Sequence, residues 1–261
     1  MAAFLRKFYF WIIMVFLYIP IAVLVWLSFN SSRSRVLWGG FTFKWYKSLF
    51  HNSAVMSALK NTLSISFISA AVATIIALMA AYGLLAMRKR SYSIVLGVGN
   101  IPMLNADIVT GITLMLAMTR IFHLGYTSVL LAHITFNIPY AVMAILPKLR
   151  ALDPSLYEAA RDLGADRLTA FRKVILPEIL PALMGGFFIA LTMSMDDFVV
   201  TYFTKGAGID TMSTMIYGEL KRGIKPEMYA LSTLIFLVVL TILLIVNVLP
   251  DVIEKKRAAR S

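Results

Sequence analysis

Cysteine is absent from all 261 residues, which removes disulfides, thiolate metal sites and a cysteine nucleophile in one step. Histidine is nearly as scarce: His51, His123 and His133 stand far apart, with no spacing that suggests a metal centre. Acid is sparse too, 13 Asp and Glu against 25 Lys and Arg, leaving a net charge of +12. In a soluble protein that excess would suggest nucleic acid. Here the bases cluster in short segments between apolar runs, which is the pattern of membrane topology and leaves no nucleic-acid partner. A G-x-x-x-x-G-K-[ST] phosphate loop is also missing, so the chain supplies no nucleotide site. Nor does any extramembrane stretch approach the roughly 100 residues of a typical domain, so no second folded domain is expected in this sequence.

What the chain has is hydrocarbon. Its residues are 60% hydrophobic and its mean hydropathy is +0.81, against about 45–50% apolar in soluble domains. A spanning helix needs about 20 mostly apolar residues, and six runs qualify: 8–29, 62–87, 93–118, 127–147, 180–203 and 230–250. The expectation is an all-α integral membrane protein of six transmembrane helices, folded as one transmembrane domain over 1–261. The first run follows Arg6-Lys7 but is too long for a signal peptide and lacks a small-x-small cleavage site, so it reads as a retained span. Of the 25 basic residues, 15 fall at the N-terminus, at 88–90, in 148–178 and in the tail after 250. The positive-inside rule puts those segments, and both termini, in the cytoplasm.

The only sizeable cytoplasmic loop, 148–178, reads KLRALDPSLYEAARDLGADRLTAFRKVILPE. Asp153, Pro154 and Ser155 offer a helix start, after which Tyr157, Ala160 and Leu163 share a face. Gly164 permits the reversal that ends this helix. A second short helix places Leu168, Phe171 and Ile175 on its apolar side before Leu176-Pro177 leads into the next span. A charged helix-turn-helix with an apolar ridge needs a groove to bury it.

Glu158-Ala159-Ala160, then Gly164-Ala165, Phe171 and Leu176-Pro177, resemble the EAA loop of ABC importer permeases. The likeness extends through Tyr18-Ile19-Pro20, Ser28-Phe29-Asn30, Phe43-Lys44-Trp45-Tyr46 and Ser194-Met195-Asp196-Asp197, where the chain resembles the second permease subunit of spermidine/putrescine importers. The resemblance implies a type I, MetI-like fold in a bacterial plasma membrane, and a loop that docks into a groove on a cytoplasmic ATPase. It also implies the partners: a second related permease, two copies of the ATPase, which bind the ATP and Mg, and a periplasmic or extracellular substrate-binding protein. No cofactor is expected in the chain itself.

Three acids fall inside the runs, Asp107, Asp196 and Asp197. An acid in the bilayer costs at least about 2.5–3.5 kcal/mol, so such residues face a cavity or a partner. Asp107 and the Asp196-Asp197 pair lie at similar depth, and together they suit a di- or polycation. Two alternatives stand beside this: Asp107 could satisfy backbone groups freed near Pro102, and the adjacent pair could sit at the headgroup level if the fifth span ends early. Adjacent residues point about 100° apart on a helix, so one of Asp196 and Asp197 faces the pathway. Trp45, Tyr46, Tyr202 and Phe203 have the chemistry to hold an alkyl-ammonium chain, although their place beside span ends favours an interfacial belt. Rival cargoes for the same architecture are Fe3+, thiamine and sulfate. A secondary transporter would want inverted repeats with paired broken helices, which the sequence does not display.

Overall fold

The computed structural model describes residues 2–241 apart from 35, 122 and 224. The sixth predicted run beyond 241, and the basic tail Lys255-Lys256-Arg257, lie outside the described residues. The chain divides into two compact units, one of 1–56 with 215–261 and one of 57–214.

The first unit begins with α1 (Ala2–Ser28), whose apolar window has no buried residue at all. Such a helix draws its stability from the bilayer and its own backbone bonds rather than from a packed face. After it the chain turns back through an isolated bridge between Asn30 and Phe41 into α2 (Lys44–His51). Asn30 fixes the turn: its amide donates to Ser34 O at 3.2 Å and Leu37 O at 2.9 Å, and its oxygen accepts from the N–H groups of Ser32 and Gly39. The two short motifs singled out in sequence hold each other here. Ser28 Oγ and Tyr46 Oη are 2.7 Å apart, Trp45 Nε1 donates to Asn30 O at 2.6 Å, and the rings of Phe29 and Phe43 meet edge to face. Trp45 is buried. This unit also holds α13 (Pro226–Thr241), whose Glu227 accepts from Ser48 Oγ at 2.6 Å.

The second unit takes up most of α3 (Ser53–Leu85), followed by α4 (Lys89–Gly99), α5 (Ile101–Leu104), α6 (Asp107–Thr119) and α7 (Tyr126–Arg150). The loop helices α8 (Pro154–Asp162) and α9 (Arg167–Ala170) come next, then α10 (Leu176–Asp196) and α11 (Val199–Thr204). Helix α12 (Met212–Arg222) leads back to the first unit. Its core joins three long helices and the loop: Ala77, Ala81 and Leu84 of α3, Ala141, Ile145 and Leu149 of α7, and Ile175 and Ile179 at the start of the fifth span. Small residues permit this approach, as is usual where lipid supplies no hydrophobic drive between helices. Gly186 shows the need: a Cβ there would meet Ala141 O and the Ile145 side chain, each at 3.4 Å.

Four described helices are long and apolar enough to cross a membrane: Lys7–Ser28, Ser53–Leu85, Tyr126–Arg150 and Arg167–Asp196. The other two predicted runs, 93–118 and 230–250, overlap the shorter apolar helices Asp107–Thr119 and Pro226–Thr241. Three boundaries differ from expectation. The second span starts nine residues early, at Ser53, because Asn52 Oδ1 accepts from Ala54 N and so caps it. The third is not one helix: Gly97, Gly99 and Pro102 weaken the run, and the backbone is extended at Asn105 and Ala106 before α6 begins. The fifth ends at Asp196, since Asp197 is extended (φ −61°, ψ 123°) and α11 starts afresh.

Candidate translocation site and docking loop

The loop 148–178 and the three intramembrane acids singled out in the sequence lie in the second unit. In the loop, Asp153 accepts from Ser155 N at 2.9 Å and Asp166 from Leu168 N at 3.2 Å, so α8 and α9 each begin on an aspartate cap. The bond to Ser155 holds the Asp153 carboxyl below the usual carboxylate range, and the Thr169 side chain does the same for Asp166. Helix α8 ends as its sequence implies. Gly164 N donates to Arg161 O at 2.9 Å and Ala165 N to Ala160 O at 3.1 Å, with Gly164 at φ +86°. That is a Schellman turn, which satisfies carbonyls that a helix end leaves open. Arg161 Nη1 adds a bond to Ala165 O at 2.8 Å.

The apolar residues of the loop divide in a way the sequence does not reveal. Tyr157, Phe171 and Leu176 are partly buried against the unit's own core, and the Phe171 ring meets Tyr82 of α3 edge to face at 6.1 Å. The ridge therefore has an intramolecular partner on its inner side. Leu163 is 90% exposed at the tip of the turn, and Glu158, Ala159, Gly164 and Pro177 are exposed beside or below it. Between α9 and α10 the backbone widens into a π-turn over Phe171–Ile175, where Leu176 N donates to Phe171 O. Pro177 follows at once; its ring removes an N–H and crowds the preceding turn, and the wider turn makes room for it.

The three acids differ sharply. Asp107 opens α6, exposed, where a negative charge meets the positive end of the helix dipole. Asp196 ends α10, exposed, and its side chain makes no hydrogen bond or ion pair with the described residues. Asp197 points inward, its side chain only 8% exposed. One of its oxygens accepts from Val200 N at 3.2 Å; the other accepts from Thr201 N at 2.7 Å and Thr201 Oγ1 at 2.9 Å. Asp197 thus caps α11, supplying the acceptors that a helix break inside a bilayer demands. Helices α6 and α11 pack closely: a Cβ on Gly111 would lie 2.9 Å from the Phe203 ring and 3.3 Å from Val199 O. Asp107 lies one turn before Gly111 on α6, and Asp196 lies three residues before Val199, on the α10 side of the break. Trp45 and Tyr46 belong to the other unit, in the turn described above. Tyr202 is partly exposed on α11.

Sequence reading missed a set of buried polar side chains. His133 of α7 is 2% exposed, with Nδ1 2.6 Å from Ser194 Oγ and Nε2 2.8 Å from Thr201 Oγ1. Ser69 Oγ of α3 lies 3.1 Å from Ser194 Oγ, and Asn137 sits one turn beyond His133, its amide 3.5 Å from Ser69. The available signal was an ionisable residue inside an apolar run, which His133 in 127–147 is as much as the three acids are.

Comparison with known proteins places this geometry. The model of the family "Binding-protein-dependent transport system inner membrane component" matches residues 73–259. The chain is 38% identical over 244 residues, covering 93% of it and 94% of the relative, to the spermidine/putrescine transport system permease protein PotC of Haemophilus influenzae. To the putrescine transport system permease protein PotI of Escherichia coli it is 36% identical over 228 residues, covering 84% and 81%. Among solved structures, a chain of a bacterial alginate ABC transporter, crystallised with its alginate pentasaccharide-bound periplasmic protein, superposes with a TM-score of 0.69 at 20% identity, covering 97% of this chain and 94% of that one. An inward-facing MetNI methionine ABC transporter gives 0.60 at 19% identity, covering 83% and 99%. Those two likenesses establish the fold, and the sequence matches establish the kinship. With its apolar helices, its capped loop and its match over most of its length, the chain belongs to the inner-membrane components of binding-protein-dependent transport systems, as a multi-pass, MetI-like ABC permease subunit rather than an enzyme.

Proposed function

We propose that the chain forms half of a translocation pathway for polyamines, spermidine or putrescine, together with a second homologous permease. The likeness to polyamine permeases along nearly the whole chain carries this reading. In it, two copies of a cytoplasmic ATPase bind ATP and Mg and dock on loops of the 148–178 type, and a periplasmic or extracellular binding protein delivers the cation. Glu158, Ala159, Ala160, Gly164 and Ala165 shape the docking turn, while Phe171, Leu176 and Pro177 fix it to the spans. Asp107 and Asp196 are the acids placed to meet a cation, because both are exposed and neither is committed to another side chain by a hydrogen bond among the described residues.

Cells without polyamine importers of their own, given the complete complex, are expected to take up radiolabelled putrescine or spermidine, and to lose that uptake when this chain is omitted. Uptake of an iron complex, thiamine or sulfate with neither polyamine would overturn the cargo and leave the permease fold standing. Detergent-solubilised complex should bring down an ATPase and a second permease; their absence sinks the assembly.

Both termini are placed in the cytoplasm of a bacterial plasma membrane. In this cysteine-free chain a cysteine at Ser31 is expected to react with an impermeant maleimide from outside, and one at Ala259, beyond the described residues, is not. Reversed labelling inverts the topology.

A further inference from the structure

The fifth span breaks inside the second unit, and a break there strands backbone groups that no lipid can satisfy. Asp197 itself accepts from the freed N–H groups of Val200 and Thr201, and neighbouring helices hold the rest of the break together. The His133 imidazole bridges the break, with Nδ1 2.6 Å from Ser194 on the α10 side and Nε2 2.8 Å from Thr201 on the α11 side. The same Nε2 lies 3.4 Å from Asp197 Oδ2. Five residues earlier on α7, Ser128 Oγ donates to Thr204 O at 2.7 Å and closes the far end of α11. Ser213 Oγ donates to the carbonyl of Asp197 at 3.0 Å. His133, Ser194 and Thr201 are all nearly fully buried, so these bonds are sheltered from competing water.

The consequence is stereochemical. With Asp197 drawn inward as the cap of α11 and clasped by His133, the residue before it is left at the exposed end of α10. We infer that His133 is a positioning residue of the pathway: by bridging Ser194 and Thr201 across the break it holds Asp197 as a structural cap and thereby presents Asp196 to the cation. This rests on the pathway reading given above. It divides two adjacent, chemically identical acids into one that builds and one that meets cargo, and it assigns the choice to a third residue more than sixty positions away. Nothing in it requires His133 to touch the substrate.

The test uses the full complex, with its native lack of cysteine as background. A cysteine at position 196 (Asp196→Cys) is labelled with a cationic methanethiosulfonate, with and without spermidine, and polyamine uptake is measured in parallel on cysteine-free chains. His133→Ala, His133→Gln and Thr201→Val are then compared at matched abundance of assembled complex. The expected result for His133→Ala and Thr201→Val is a KM for spermidine raised about tenfold or more, and a labelling rate at position 196 changed about tenfold with spermidine protection lost. His133→Gln, which can still reach Thr201, should recover part of both. A fall in maximal rate alone, with KM and labelling as in the parent, overturns the proposal, because that is what a merely structural role gives. Failure of all three variants to assemble overturns it equally, assigning His133 to folding. The pathway reading fails separately, and visibly so, if position 196 is never labelled in the parent background and Asp196→Asn transports normally.

Discussion

Asp197→Ala is expected to lower the amount and thermal stability of the assembled permease, whereas Asp196→Asn leaves both unchanged and cuts uptake of a polyamine. The two residues are neighbours with the same chemistry, so the contrast comes from geometry alone. Asp197 accepts two backbone N–H groups at the start of α11, and its side chain is buried. Removing it takes away a helix cap, about 0.5–2 kcal/mol, and leaves donors unsatisfied in a site with little water, about 1–3 kcal/mol more. Against a total stability of roughly 5–15 kcal/mol that is a serious loss. Asp196 is exposed at the end of α10 and makes no hydrogen bond or ion pair with the described residues, so Asn, of nearly equal size, should not disturb the fold. If it does meet the cation, losing one charge-assisted bond of about 1.5–3 kcal/mol weakens occupancy roughly 10- to 150-fold. Melting temperature and uptake, measured on the same preparations, decide the matter. Two variants that lose stability alike, or transport alike, would refute the division of roles.

Leu163→Arg is the second variant with a large expected effect, a loss of the ATPase from detergent pull-downs without loss of the inserted spans. Leu163 is 90% exposed at the tip of the Schellman turn, so its side chain is left uncovered by the described residues. An apolar side chain held out in that way gains about 1.5–3 kcal/mol if a partner covers it, which is roughly 10- to 150-fold in affinity. An arginine forfeits that and adds a charge to be desolvated. Phe171→Ala should behave differently, weakening the loop's own attachment because Phe171 rests on Tyr82. Gly164→Val tests the turn between them. The space around Gly164 is open, so its φ of +86° is the whole obstacle, about 1–2 kcal/mol for a residue with a Cβ. Full recovery of the ATPase with Leu163→Arg would remove Leu163 from the docking surface.

The turn at Gly164 was legible in the sequence because its determinants are local. Asp153 caps the helix that begins at the next residue, and Gly164 supplies the one conformation that closes it, so a window of a dozen residues contains both the signal and the structure. The apolar runs were legible for the same reason, each being a count of neighbouring residues. The breaks were not. The adjacent acids Asp196-Asp197 left an early end to the fifth span open, but Met195, Phe198, Val199 and Val200 keep the run apolar around them, so the sequence does not choose. The break is stable because His133, Ser213 and Thr201 supply hydrogen bonds, two of them from other elements, and a hydropathy window cannot see a partner sixty residues away. The inner and outer sides of the loop were hidden likewise: Phe171 and Leu163 are both large and apolar, and only the position of Tyr82 tells them apart.

The turn after α1 bears on the entropy of association. Residues 28–46 are tied by Asn30, which makes four hydrogen bonds to the backbone around it, and by the pairing of Ser28 with Tyr46 and of Trp45 with Asn30. Ordering a free side chain at a contact costs about 0.5–1.5 kcal/mol. Side chains already held by their own bonds, Asn30, Trp45 and Tyr46 among them, have that cost settled during folding, so the surface they present is ordered before anything meets it.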